Sequence, residues 1–210
     1  MSDKKARSLD RVVEVAMQAF IDRRIDEVSI NSIAEQAHCS TATIYEVFGS
    51  KEELYRVALA RSIEATPSPR VKRVPGEPVL YPLLAYSEQH LRFISSAACS
   101  RIDQLMIGNL AISEDIVSRT MDREVTLMRD IISGEVDVCL QHRLFRNISR
   151  KSIVYCISAC TSYAPLTAGL FYRKPSLAPI SDLLDLSFEP LVTPKGRSQL
   201  KQYIAERVPN

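Results

Sequence analysis

The stretch from Ser29 to Phe48 constrains this chain more than any other part of it. Ile30, Ile33, Ala34 and Ala37 recur at three- and four-residue spacing behind Ser29, a residue type suited to capping a helix. His38 and Cys39 then break the pattern. Ser40 offers a second cap, and Ile44, Val47 and Phe48 lie on one face of a second short helix that Gly49 ends. Two helices of eight or nine residues, joined by a turn of about three, have the geometry of a helix-turn-helix.

Helical patterns flank this unit. Leu9, Val12, Val13, Ala16 and Phe20 predict a helix over residues 8–23. Ser50-Lys51-Glu52-Glu53 reads as a capping box, opening a helix that carries Leu54, Val57 and Ala58 inward and runs to about Ala65. Thr66-Pro67-Ser68-Pro69 stops it, and Pro75-Gly76 extends the loop over 66–78. The expected boundary therefore separates a domain at 1–65 from one at 66–210. Beyond the loop, helices are expected near 79–97, 100–111, 114–141 and 150–172, with short ones near 180–188 and 197–207. Glycine is scarce and strand-like alternation is hard to find. The predicted fold class is all-α, with an amino-terminal three-helix domain and a carboxy-terminal helical bundle.

Composition excludes several classes. No run reaches the ~18 apolar residues of a membrane span; the best, around Ala164–Phe171, is interrupted by Thr167. The polar start Met1-Ser2-Asp3-Lys4-Lys5 does not read as a signal peptide, so a cytoplasmic protein is expected. Cys39, Cys99, Cys139, Cys156 and Cys160 are scattered without a CxxC pair, which points to buried small hydrophobes. His90 and His142 have no partner pattern for a metal. Residues 1–60 carry 8 Lys/Arg against 10 Asp/Glu, a net −2, while the remainder is net +4. Bulk charge does not announce nucleic-acid binding, so that case rests on local pattern.

In a helix-turn-helix the second helix enters the DNA major groove by its amino-terminal end. Thr41, Ala42 and Thr43 are small there, so the backbone approaches base edges closely. Their hydroxyls donate or accept, and the methyl groups of Ala42 and Thr43 suit a thymine methyl. Tyr45 lies off the apolar face, placed for a phosphate. Ser29, Asn31, Ser40 and Ser50 lie at helix starts, where free amides favour an anion, and Lys51 adds a formal charge. Glu46, one turn beyond Ala42, is the unexpected member of the set: it reads cytosine, repels phosphates or faces solvent. Lys4, Lys5 and Arg7 form either a minor-groove arm or a solvated terminus.

Residues Leu9–Ala58 resemble the TetR family of transcriptional regulators. The matching pieces are Ser29-Ile30-Asn31-Ser32-Ile33-Ala34-Glu35-Gln36-Ala37, Ser40-Thr41-Ala42-Thr43-Ile44-Tyr45-Glu46-Val47-Phe48 and Ser50-Lys51-Glu52-Glu53-Leu54. The chain departs from the family at His38 and Arg24, where glycine is usual; His38 is expected to adopt a left-handed conformation. The resemblance implies a homodimer on a palindromic DNA operator, usually as a repressor, with a helical carboxy-terminal half that dimerises and often binds a small-molecule effector.

Within that half, Phe93, Met106, Leu110, Met128, Tyr155, Tyr163 and Phe171 are candidate pocket liners. The 150–172 helix is apolar around much of its circumference, so Ile153, Ile157, Cys160, Leu166 and Leu170 are expected at a subunit interface. An alternative is a DNA-binding protein whose carboxy-terminal half takes a protein partner. An enzyme is not expected: no paired Glu-x-x-His, Gly-rich phosphate loop or nucleophile–His pairing is legible. No cofactor is expected either.

Overall fold

The computed structural model describes residues 3–66, 68–172 and 179–208; for 3–6, 107, 108, 110 and 162–172 it describes the backbone alone. The described chain is helical: α1 (Asp3–Asp22), α2 (Ile30–Ala37), α3 (Thr41–Phe48), α4 (Lys51–Glu64), α5 (Tyr81–Ile94), α6 (Ala97–Gly108), α7 (Leu110–Gln141), α8 (Arg150–Tyr172), α9 (Ile180–Phe188) and α10 (Pro194–Arg207). A 3-10 turn, Ile25–Glu27, follows α1. The chain divides into two units, Met1–Pro67 with Arg101–Met121, and Ser68–Ser100 with Asp122–Asn210. The single expected boundary at 65/66 did not anticipate that 101–121 packs with the amino-terminal residues.

The amino-terminal unit is built by apolar stripes turned onto one another. Val12, Val13, Ala16 and Phe20 of α1 are buried with Ile30, Ile33, Ala34 and Ala37 of α2 and with Ile44 of α3. On α4 the buried stripe is Leu54, Tyr55, Ala58 and Leu59. It centres one residue away from expectation, because Val57 is only half-buried and Tyr55 takes the inward position. The Phe20 and Tyr55 rings meet edge to face, centroids 5.3 Å apart.

Residues 101–121 are fastened to this core by polar as well as apolar contacts. Leu105 and Met106 join its cluster, and the Tyr55 hydroxyl donates to the Leu105 carbonyl. The Ile25 amide donates to Asn109 Oδ1 at 3.2 Å, a buried bond. Arg56 grips Asp115 with two nitrogens at 2.6 and 2.8 Å, and its Nη1 also donates to the Ile112 carbonyl at 3.0 Å. This bidentate geometry is the strong form of the guanidinium–carboxylate pair. It holds the Asp115 carboxyl well below the usual range.

The second unit has its own core, in which Leu80, Leu83, Leu84, Leu91, Ile132, Val136, Ile153, Ile157, Leu184, Phe188, Leu200 and Tyr203 are buried. Its α7–α8 loop is tied to the α9–α10 loop. The Arg146 amide donates to the Leu191 carbonyl at 2.8 Å and the Thr193 amide to the Leu144 carbonyl at 2.8 Å. Thr193 caps α10 by accepting from the Gly196 amide, which draws residue 196 against the Leu144 backbone. A Cβ there would lie 2.4 Å from the Leu144 oxygen, so glycine is required by space.

Burial places four of the carboxy-terminal candidates. Met106 is buried in the amino-terminal unit's core, not in the bundle. Tyr155 is 73% exposed and lines no interior. Ile153 and Ile157 are fully buried in the core of their own unit. Of the remaining candidates, Met128 is buried, Phe93 and Cys160 are half-buried, and the side chains of Leu110, Tyr163, Leu166, Leu170 and Phe171 lie outside the described residues. Among the described residues no helix is long and apolar enough to cross a membrane, and no three metal-capable side chains cluster.

Candidate nucleic-acid interface

The turn between α2 and α3 is set by one left-handed residue. His38 has φ 55 and ψ 46, and this reversal lets the His38 and Cys39 amides donate back to the Glu35 and Ala34 carbonyls at 3.1 and 3.0 Å. The end of α2 is thereby satisfied without a capping glycine. Arg24, the other departure from the expected glycines, has φ −64 and ψ 154, a conformation that costs an ordinary residue nothing.

The second helix starts as its sequence predicts. Ser40 is extended, and its Oγ accepts from the Thr43 amide at 3.0 Å. The Thr43 hydroxyl lies 2.9 Å from the same oxygen. Ser50 caps α4 in the same way, accepting from the Glu53 amide at 3.0 Å, while the Glu53 carboxylate lies 3.4 Å from Arg56 Nε. Ser29 occupies the capping position of α2 in extended backbone, but its side chain makes no capping bond. Ser29 is exposed.

Burial then sorts the helix-turn-helix into faces. Ile44 is buried and Phe48 half-buried, so these two anchor α3. Val47, expected inward beside them, is 39% exposed, and Tyr45 is 51% exposed. Asn31, Ser40, Ala42 and Glu46 are exposed, and Thr41, Thr43, Ser50 and Lys51 are half-buried. The outward strip of α3 is therefore wider than its sequence suggested. Val47 adds an exposed apolar side chain to the strip that carries Tyr45.

Lys51 is less free than its sequence position implied. Its Nζ donates to the Val28 carbonyl at 3.1 Å, fastening the start of α4 to the segment leading into α2. An ammonium has three donors, so two remain for an outside acceptor. The Arg24 side-chain hydrogen bond, with a smaller contribution from the Lys51 charge, holds the Asp26 carboxyl below its ordinary value. A cleft of about 420 Å³ opens between α1 and α2, lined by Glu14, Gln18, Asp22, Arg23, Ser29 and Ser32 among others. Arg7 is exposed, and the side chains of Lys4 and Lys5 lie outside the described residues.

The arrangement offers an exposed helix start carrying hydroxyls and small residues, a ring with a phenolic tip, and a lysine at the next helix start. Such a surface suits a partner that presents hydrogen-bond acceptors along a groove. Comparison with known proteins agrees. Residues 12–58 match the family model described as bacterial regulatory proteins, tetR family. A search of curated proteins returned no match. Among solved structures, a TetR transcriptional regulator from Agrobacterium tumefaciens superposes with a TM-score of 0.63 at 14% identity, covering 92% of this chain and 98% of that one. MexZ, a repressor responsible for antibiotic resistance in Pseudomonas aeruginosa, gives 0.62 at 12% identity, covering 93% and 94%. A regulator from Saccharomonospora viridis in complex with choline gives 0.57 at 15% identity, covering 98% of each. At these identities the likeness establishes the fold: all-helical and TetR-like.

Proposed function

We propose that this chain, whose residues 12–58 carry the helix-turn-helix of the tetR family of bacterial regulatory proteins, is a ligand-responsive transcriptional repressor that binds an inverted-repeat operator as a homodimer. The observation that carries the reading is the outward strip of α3, where Ala42, Tyr45, Glu46 and Val47 are exposed at a start pinned by Ser40. Thr41, Thr43 and Tyr45 meet bases or phosphates. Ser29, Asn31, Ser50 and Lys51 meet the backbone on either side.

Repression is supported by the neighbouring MexZ, described as a repressor, and response to a small molecule by the S. viridis regulator that holds choline. Dimerisation is supported by the packed helices α8 and α9, on which Tyr155 is 73% and Leu186 69% exposed. Two large apolar side chains left in water on adjacent helices suit a two-fold contact with a second copy.

Selection of duplexes by the full-length chain from random DNA, repeated with a metabolite library, tests the reading. The expected product is an inverted repeat whose recovery falls in the presence of one metabolite class. A single asymmetric half-site, or no enrichment, refutes it. Tyr155→Arg and Leu186→Arg are expected to give folded monomers on a sizing column that lose the operator, and a monomer with full affinity removes the dimer from the reading.

A further inference from the structure

We infer that Ser40 is a positioning residue which, beyond capping α3, sets the direction in which the Thr43 hydroxyl hydrogen-bonds to DNA, making Thr43 a donor to an acceptor oxygen or nitrogen. The inference rests on the DNA-binding reading above and deepens it.

Each hydroxyl has one hydrogen and two lone pairs. Ser40 Oγ spends one lone pair on the Thr43 amide at 3.0 Å. It also lies 2.9 Å from Thr43 Oγ1, a contact in which one hydroxyl must give its hydrogen to the other. If Thr43 gave, it would face outward as an acceptor only. Most protein–DNA hydrogen bonds run to phosphate oxygens and sugars, and a phosphate oxygen only accepts. Against such a partner Thr43 must keep its hydrogen, so Ser40 donates to Thr43 and Thr43 donates outward. The chain from Ser40 to Thr43 to acceptor is polarised in one direction, which strengthens each link. A phosphate oxygen and a guanine or thymine acceptor share this chemistry.

The test is a double-mutant cycle on the full-length chain with the duplex that the wild-type chain selects. Aspartate caps a helix about as well as serine, but its carboxylate only accepts, so Ser40→Asp captures the Thr43 hydrogen and turns Thr43 outward as an acceptor. Its added charge also weakens DNA binding, and the Thr43→Val background measures that part alone. Ser40→Asp is expected to lose roughly 3- to 10-fold more affinity with Thr43 present than in the Thr43→Val background, the net worth of one hydrogen bond. Ser40→Thr and Thr43→Ser keep both hydroxyls and are expected to stay within about 2-fold of wild type.

Base preference separates the two acceptor sources. A uniform loss across sequences assigns the acceptor to phosphate. A shift at one position per half-site toward adenine or cytosine, whose amino groups donate, assigns it to a base edge. Equal losses with Thr43 present and in the Thr43→Val background overturn the inference while leaving DNA binding intact. Should Ser40→Asp unfold, Ser40→Ala against Ser40→Thr serves in its place: it frees the Thr43 hydroxyl to turn either way and removes only its polarisation by Ser40, so a smaller excess loss, about 2-fold, is expected beside Thr43, and none in the Thr43→Val background. Failure of the wild-type chain to select any duplex overturns both readings together.

Discussion

His38 closes the helix-turn-helix in a conformation that suits glycine, so replacing it should change stability in a direction opposite to that of most substitutions. Its φ of 55 and ψ of 46 place it in the left-handed region. That region costs an L-residue roughly 1–2 kcal/mol, histidine being among the more tolerant types. Glycine removes this cost but orders a more flexible unfolded chain, worth about 0.5–1 kcal/mol in the other direction. The balance predicts that His38→Gly stabilises the protein by ~0.5–1 kcal/mol. For a chain of this length that corresponds to a rise in Tm of about 1–4 °C. Valine, branched at Cβ and poorly suited to positive φ, should instead destabilise by about 1–2 kcal/mol. His38 is exposed, so neither change removes packing. Urea unfolding followed by far-UV circular dichroism, at matched slope, gives the two differences. A Gly variant less stable than wild type, or a Val variant equal to it, would refute the account of this turn.

Gly196→Ala places a Cβ against the Leu144 carbonyl at 2.4 Å and the Val192 Cβ at 3.0 Å, both on short tied loops. It should cost ~1–3 kcal/mol in the same assay, as overpacking does, and no loss would mean that the α7–α8 loop yields. Asp103 is half-buried and its carboxyl is pushed up to about 6 by desolvation, so the folded state holds its proton more tightly than the unfolded chain. Its contribution therefore makes stability fall as pH rises from near 4 to near 6, and Asp103→Asn should flatten that slope. Burial pushes His90 down to about 4, so its contribution has the opposite sign: stability is lost as pH falls from near 6.5 toward 4, and His90→Gln should remove that loss. An unchanged pH profile in either variant would end the corresponding assignment.

How much of this protein was legible in its sequence follows the range of the interactions involved. The Ser40 and Ser50 caps, the left-handed His38, the stop at Gly49 and the alternation of helices with Pro-rich breaks were all readable, because each depends on residues within about one helical turn. The apolar stripes of α1 and α2 were readable for the same reason: period alone decides which side faces inward. Where the inward side was ambiguous, periodicity failed. It placed Val57 inward in place of Tyr55 and Val47 beside Phe48, since a stripe's centre is chosen by the partner helix.

The tertiary structure alone decided what each apolar residue packs against. Met106, Tyr155, Ile153 and Ile157 are chemically interchangeable as core, pocket or interface. Met106 ends in the amino-terminal core, Tyr155 in solvent, and Ile153 and Ile157 in the carboxy-terminal core. Hydrophobic burial is non-directional, so composition does not choose among these fates. Lys51 illustrates the same limit for a polar group. Its position marked a helix start, but only the fold brought the Val28 carbonyl, 23 residues away in sequence, to within 3.1 Å of its ammonium. The attachment of residues 101–121 to the amino-terminal unit was likewise invisible, because Ile25–Asn109 and Arg56–Asp115 join residues 84 and 59 positions apart. Such pairs are selected by the geometry of the assembled helices, which no local pattern encodes.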